Sequence, residues 1–293
     1  MATTEIAAAE SKVNLAGSLW MVAAMALFAL EDAMVKAAAA RLPVGEVLVL
    51  FGLGGAILFA GTAMMRGEML FGADVASRPM RVRACFEVTA RLFYVLALAL
   101  TPLSATTAIL QATPIVVVLG AAFLFKEDVG WRRWAAILIG LAGVLIVLRP
   151  GAESFSALSV LALIGMLGFA GRDLASRAAP RSVATSVLGF YGFAAIVLAG
   201  ILYALLWERS RFVVADPAAT ALLSTAIVCG VLAYSALMKA MRTGAVSVVT
   251  PFRYTRLLFG VALGVLVFGE QLDLPTAVGS LIIVLAGIAI LKR

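Results

Sequence analysis

Charged side chains set within long apolar runs are the residues with chemistry to offer in this chain. Asp32 and Lys36, Glu87 and Arg91, and Asp173 and Arg177 each stand four residues apart, which puts both members of a pair on one face of a helix. An ion among apolar neighbours costs about 2.5–3.5 kcal/mol on insertion scales, so each needs a partner or a watery cavity. For Glu87 and Arg91 two readings stand: an ion pair that ties their helix to its neighbours, or a contact to substrate or gate. Asp32–Lys36 and Asp173–Arg177 read either as two opposed gates or as charges reaching for the ends of their helices. Glu31 is adjacent to Asp32 and points elsewhere on a helix, which argues against a shared-proton carboxylate pair. Arg253 and Arg256 follow Thr250-Pro251, and a guanidinium there either attracts a substrate carboxylate or pairs with Glu87.

The sequence holds no His, which removes the commonest general base, proton shuttle and zinc ligand together. Cys85 and Cys229 both lie in apolar runs and read as buried free thiols, with neither a disulfide framework nor a thiolate metal cluster indicated. No Ser-His dyad or facing Asp pair is visible, so an intramembrane enzyme is not expected, nor a metal or cofactor. A channel would need a filter-like loop, and none is present. What remains suits recognition of a small molecule. Gln111 and Tyr254 are uncharged polar groups 143 residues apart, and Phe28, Tyr94, Phe169 and Tyr234 offer aromatic faces; ordinary packing is the competing reading for the rings. Pro114 is expected to kink its helix.

The elements that must position these groups follow from composition. The chain is 63% hydrophobic and 13% charged over 293 residues, whereas soluble domains are about half apolar and a quarter charged. Ten runs long enough to cross a bilayer fall near 15–37, 44–65, 80–100, 103–124, 131–148, 158–177, 183–207, 218–241, 245–268 and 275–291, separated by breakers such as Thr101-Pro102, Asp216-Pro217 and Leu274-Pro275. The tail with Glu5, Glu10 and Lys12 lacks the basic start of a signal peptide, so the first run is expected to stay as a helix. Lys and Arg accumulate on the cytoplasmic side. With the N-terminus inside, fourteen basic residues lie on the cytoplasmic face, against Lys36, Arg41, Arg149, Arg209 and Arg211 on the other. Both termini are therefore expected in the cytoplasm, and the net charge of +7 reflects orientation, with no nucleic-acid partner implied.

An internal repeat organises the spans. Residues 28–38 align with 169–179 at a shift of 141, matching Phe, Ala, Asp, a basic residue and an Ala pair; Leu124-Phe125-Lys126-Glu127 matches Val267-Phe268-Gly269-Glu270 at 143; and Leu141-Ala142-Gly143 with Arg149 matches Leu285-Ala286-Gly287 with Arg293 at 144. The expected organisation is a tail over 1–14, a five-helix unit over 15–149 and a second over 150–293. Five crossings are an odd number, so the second copy must enter the bilayer upside down. Such inverted halves rock about a site near the midplane and open it to each side in turn. Gly52, Gly54, Gly55 and Gly61, with Gly140, Gly143, Gly279 and Gly287 in spans five and ten, read as close-packing surfaces.

With its Phe125-Lys126-Glu127 and Phe268-Gly269-Glu270 ends of spans four and nine and Gly/Ala-rich spans five and ten, the chain resembles the drug/metabolite transporter superfamily, in its EamA-type ten-helix branch. It is similar to amino-acid exporters of the YddG type. The resemblance implies a multi-pass protein of the bacterial inner membrane, monomer or homodimer, that exports aromatic and other neutral amino acids; import of a larger, nucleoside-type metabolite is the alternative. It also implies a central cavity walled by spans one, three, four, six, eight and nine, with five and ten peripheral. One departure stands out: the position matching Pro114 before Glu270 is Leu257, so the kink is not expected in the second half.

Overall fold

An unpaired backbone N–H or C=O is costly in hydrocarbon, so an apolar chain of this kind closes its hydrogen bonds inside helices. The computed structural model describes residues 2–124, 131–148, 157–177, 180, 182–209, 211–243 and 250–291, and they form helices with no strand among them. These are α1 Ala2–Ala39, α2 Val44–Met65, α3 Arg78–Leu100, α4 Leu103–Leu110, α5 Thr113–Leu124, α6 Trp131–Leu148, α7 Ser159–Arg177, α8 Thr185–Tyr203, α9 Pro217–Thr243, α10 Thr255–Phe268 and α11 Leu274–Leu291. A π turn, Ala204–Glu208, prolongs α8, and a 3-10 turn, Thr250–Tyr254, precedes α10.

Five helical stretches, Lys12–Ala39, Val44–Met65, Ser159–Ser176, Thr185–Glu208 and Pro217–Ala240, are each long and apolar enough to cross a membrane. Large apolar side chains such as Ile57, Leu138, Leu205 and Leu266 stand exposed, as a lipid-facing surface requires and a water-facing one avoids. Cys85 is exposed too, not buried. The protein is an all-helical, multi-pass membrane protein. Helix α3 is 23 residues long, but Arg78, Arg81, Arg83, Glu87 and Arg91 set five charges along it.

Helices pack across the repeat. The dominant contacts are α1 with α9, α3 with α7, α2 with α8, and α6 with α11, joined by α4 with α10. At the repeat offset α1 corresponds to α7 and α9 to α3, so the α1–α9 pair maps onto α7–α3, while the α2–α8 and α6–α11 pairs map onto themselves. Small residues set the approach distances: a Cβ on Gly168 would lie 2.8 Å from the Ala90 backbone, and one on Gly165 2.9 Å from that of Tyr94. Gly143 and Gly279 face each other between α6 and α11, where added Cβ atoms would meet the opposite carbonyls at 3.0 and 2.7 Å. Gly61 is an exception to the packing expectation, with nothing within 4 Å of its position.

The fourth expected span is broken between α4 and α5 at Gln111–Ala112. Pro114 has no N–H to give the Leu110 carbonyl, and the Thr113 hydroxyl donates to that carbonyl at 2.6 Å. The second half is also irregular at the equivalent place. Tyr254, the counterpart of Gln111, ends the 3-10 turn before α10, so the discontinuity recurs without a proline opposite Pro114. The Phe125-Lys126-Glu127 landmark and Arg149 lie outside the described residues.

Candidate substrate cavity

The two breaks meet at the wall of a cavity of about 300 Å³. Its lining comes from α1, α3, the α4–α5 break, α7, α9 and the start of α10, plus Leu188 of α8, while α6 and α11 contribute nothing among the described residues. Those are the six elements that the family resemblance implies. Phe28, Phe169 and Tyr234 present rings to the space, and Gln111 and Pro114 line it at the break. The Gln111 Nε2 donates to the Arg253 carbonyl at 3.1 Å, clasping the α4–α5 break to the 3-10 turn before α10.

Tyr94 and Tyr254 stand behind the wall. The Tyr94 hydroxyl donates to Asp32 at 2.9 Å and the side chain is fully buried. Tyr254 is buried with its hydroxyl lacking a hydrogen-bond partner among the described residues.

Among the described residues five guanidiniums line the cavity, those of Arg83, Arg91, Arg172, Arg253 and Arg256, whereas Asp173 is the one carboxylate in the lining. The balancing anions lie deeper: Glu31, Asp32 and Glu87 are each only 2% exposed. Glu87 is the hub. Its Oε1 takes Arg91 Nε at 3.3 Å and Arg172 Nη1 at 3.4 Å, and its Oε2 faces Arg83 Nη2 at 3.5 Å. Arg91 Nη1 also reaches Glu31 Oε1 at 3.3 Å. Arg256 Nη2 lies 2.6 Å from Asp32 Oδ2. Arg172 is drawn onto Asp173 Oδ1 by Nη2 at 2.8 Å and Nε at 3.0 Å. The rings steady this network: Arg172 stacks 4.8 Å over Phe169 and Arg256 5.0 Å over Phe28, so the two repeat-related Phe residues each carry a cation on the face.

The Glu87–Arg91 pair forms as its spacing suggests, but Asp32 and Lys36 do not meet. Asp32 turns to α3 and α10, while Lys36 Nζ donates to the carbonyls of Leu98 at 2.9 Å and Thr101 at 2.6 Å, the unsatisfied negative end of α3. Arg253 makes no pair with Glu87 and no ion pair with any described residue. The Arg177 side chain lies outside the described set. Arg83 and Arg172 line the cavity although the sequence reading passed over them as site candidates. The available signals were Arg83 standing four before Glu87, and Arg172 matching Glu31 in the repeat.

The cavity extends toward the end of the bundle that carries residues 66–79 and 182–184, where Arg83, Ser176, Leu188 and Met238 line it. At the opposite end two carboxylates hold helix starts. There the Glu270 carboxylate accepts from Leu103 N at 2.6 Å, Ser104 N at 3.0 Å and Ser104 Oγ at 2.8 Å, capping α4. Glu208 accepts likewise from Val44 N at 2.7 Å and Gly45 N at 2.9 Å, capping α2. Carboxylates at helix N-termini satisfy orphan N–H groups and complement the positive end of the dipole. Lys36 sits 5.5 Å over the Phe268 ring beside them.

Known proteins match this architecture throughout its length. The EamA-like transporter family matches twice, at residues 15–149 and again at 157–292. The chain is 22% identical over 284 residues to the S-adenosylmethionine uptake transporter of Rickettsia prowazekii (strain Madrid E), covering 96% of this chain and 94% of that one. It is 28% identical over 278 residues to the pseudopaline exporter CntI of Pseudomonas aeruginosa (strain UCBPP-PA14), covering 94% and 95%. A riboflavin transporter of Vibrio cholerae serotype O1 is 30% identical over 180 residues, 61% of this chain and 59% of that one. A solved crystal structure shares the fold at 20% identity with a TM-score of 0.63, covering 96% of this chain and 98% of its own. All three named relatives are transporters of small molecules. With both halves matched, the chain belongs to the EamA-like transporter family of the drug/metabolite transporter superfamily, and it is a membrane transporter, not an enzyme.

Proposed function

We propose that this protein exports small metabolites, aromatic and other neutral amino acids foremost, from the cytoplasm across a bacterial inner membrane by alternating access. The reading takes the chain as ten spans in two inverted five-helix halves, 15–149 and 150–293, with both termini cytoplasmic. The observation that carries it is an arginine- and ring-lined cavity that reaches toward one end of the bundle, with Lys36, Glu208 and Glu270 tying helix ends together at the other. By the distribution of Lys and Arg the cavity end is cytoplasmic, so an exported substrate would load from there. A volume of about 300 Å³ is the lower limit of ligand pockets, which run to about 1,000 Å³, and favours a small cargo. Phe28, Phe169 and Tyr234 offer faces for an aromatic or aliphatic side chain.

A second reading, uptake of a larger nucleoside-type metabolite, is favoured by one observation: relatives in several Rickettsia species carry the name S-adenosylmethionine uptake transporter. Reconstituted liposomes separate the two. The export reading expects saturable flux of phenylalanine, leucine and related amino acids; saturable flux of nucleosides alone favours the second reading, and absence of saturable flux for any panel member overturns transport of either class.

A further inference from the structure

The cavity wall carries an electrostatic remainder. Four of the five lining guanidiniums are matched by four carboxylates: Arg83 and Arg91 share Glu87 with Arg172, Arg91 also meets Glu31, Arg256 meets Asp32, and Arg172 meets Asp173. Arg253 is left over. Among the described residues it has no ion-pair partner, yet it lines the cavity, and its backbone is fixed by the Gln111 amide. The anionic remainder is an atom rather than a residue. Both donors of Arg172 converge on Oδ1 of Asp173, so Oδ2 has no donor among the described residues, in a side chain that is 25% exposed and faces the same space.

We propose that Arg253 and Asp173 Oδ2 form a two-sign recognition site, Arg253 for a carboxylate and Asp173 for an ammonium, and that the substrate class is therefore the zwitterionic α-amino acid. This rests on the transport reading above. A guanidinium offers two parallel donors to a carboxylate, and an unpaired one inside a membrane protein gains most from an incoming anion because no existing pair has to break. The four paired arginines are poorer receptors, since a substrate carboxylate would have to displace a buried one from each. Phe28, Phe169 and Tyr234 supply the apolar surface for the side chain, and the two charged groups supply the discrimination, because a site built for a polar group rejects analogues lacking it far more strongly than an apolar pocket rejects a misfit.

The test is competition against labelled phenylalanine flux in liposomes holding the purified full chain. Against the wild type, phenethylamine, which lacks the carboxylate, and 3-phenylpropionate, which lacks the ammonium, should each compete at least about tenfold more weakly than unlabelled phenylalanine. Arg253→Gln should raise the phenylalanine KM by at least about tenfold and abolish the preference over phenethylamine, with Arg253→Lys keeping part of it; Asp173→Asn should abolish the preference over 3-phenylpropionate. Equal competition by either analogue at the wild type overturns the corresponding half of the site and needs no variant to fold. Folded variants with unchanged preferences overturn the assignment while leaving transport intact. A wild type that moves no amino acid at all sinks the amino-acid export reading and this site with it.

Discussion

Glu87 faces three guanidiniums at 3.3–3.5 Å, which makes it the residue whose loss leaves most uncompensated charge behind. Removing one partner of a buried pair costs about 3–5 kcal/mol because the other charge is stranded. Glu87→Ala is accordingly expected to lower the thermal stability of the detergent-solubilised protein by an amount in that range, while Arg41→Ala, whose partner Asp216 is half exposed, should cost less than about 1 kcal/mol. A Glu87→Ala protein that melts like the wild type would remove Glu87 from the centre of the network. The Glu87–Arg91 pair was legible because four residues on a helix fix it. The Asp32–Arg256 pair spans 224 positions, and nothing in spacing announces a contact made by tertiary packing. For Lys36 the sequence left open a gate or a charge at a helix end, and it is the carbonyls at the end of α3 that hold it.

At the scale of helices, apolar run length was enough to place most elements, and Pro114 was enough to place a discontinuity, since a residue without an N–H frees a carbonyl wherever it falls within a helix. The matching break at Tyr254 was not legible, because the repeat has Leu257 where a second proline was sought. If the α4–α5 break is what lets the wall move, Pro114→Ala should restore a hydrogen bond to the Leu110 carbonyl, hold or raise thermal stability, and slow phenylalanine flux several-fold; unchanged flux would make the break a packing feature only. The end held by Glu270 offers a separate test. Glu270→Gln weakens a cap that charged groups strengthen by about 0.3–1 kcal/mol, up to about 2 kcal/mol when partly buried. In a background with Cys85 and Cys229 replaced by Ser, a thiol at the buried Leu103 should label faster with an impermeant reagent when Glu270→Gln is present. Equal labelling would mean that Glu270 does not hold that end shut.

Taken as a whole, the molecule follows its duplication. The repeat read from residues 28–38 and 169–179 became a pairing of helices across the halves, with α1–α9 and α3–α7 as equivalent crossings. The cavity forms where those crossings, the α4–α5 break and the 3-10 turn before α10 converge. Its location was foreseen by resemblance, but its charge was not: counting arginines along the chain led only to an expected orientation, and the fold shows that five of them face one space. Reporter fusions at both ends check the orientation, with cytoplasmic activity expected from each; periplasmic activity at either would reverse the direction assigned to the cavity. The central claim is that one cavity serves both sides in turn, and counterflow tests it most directly. Liposomes loaded with labelled phenylalanine should release the label faster when unlabelled phenylalanine is added outside, because a carrier returns faster loaded than empty. Release that stays linear in concentration and is not accelerated from the far side would contradict alternating access.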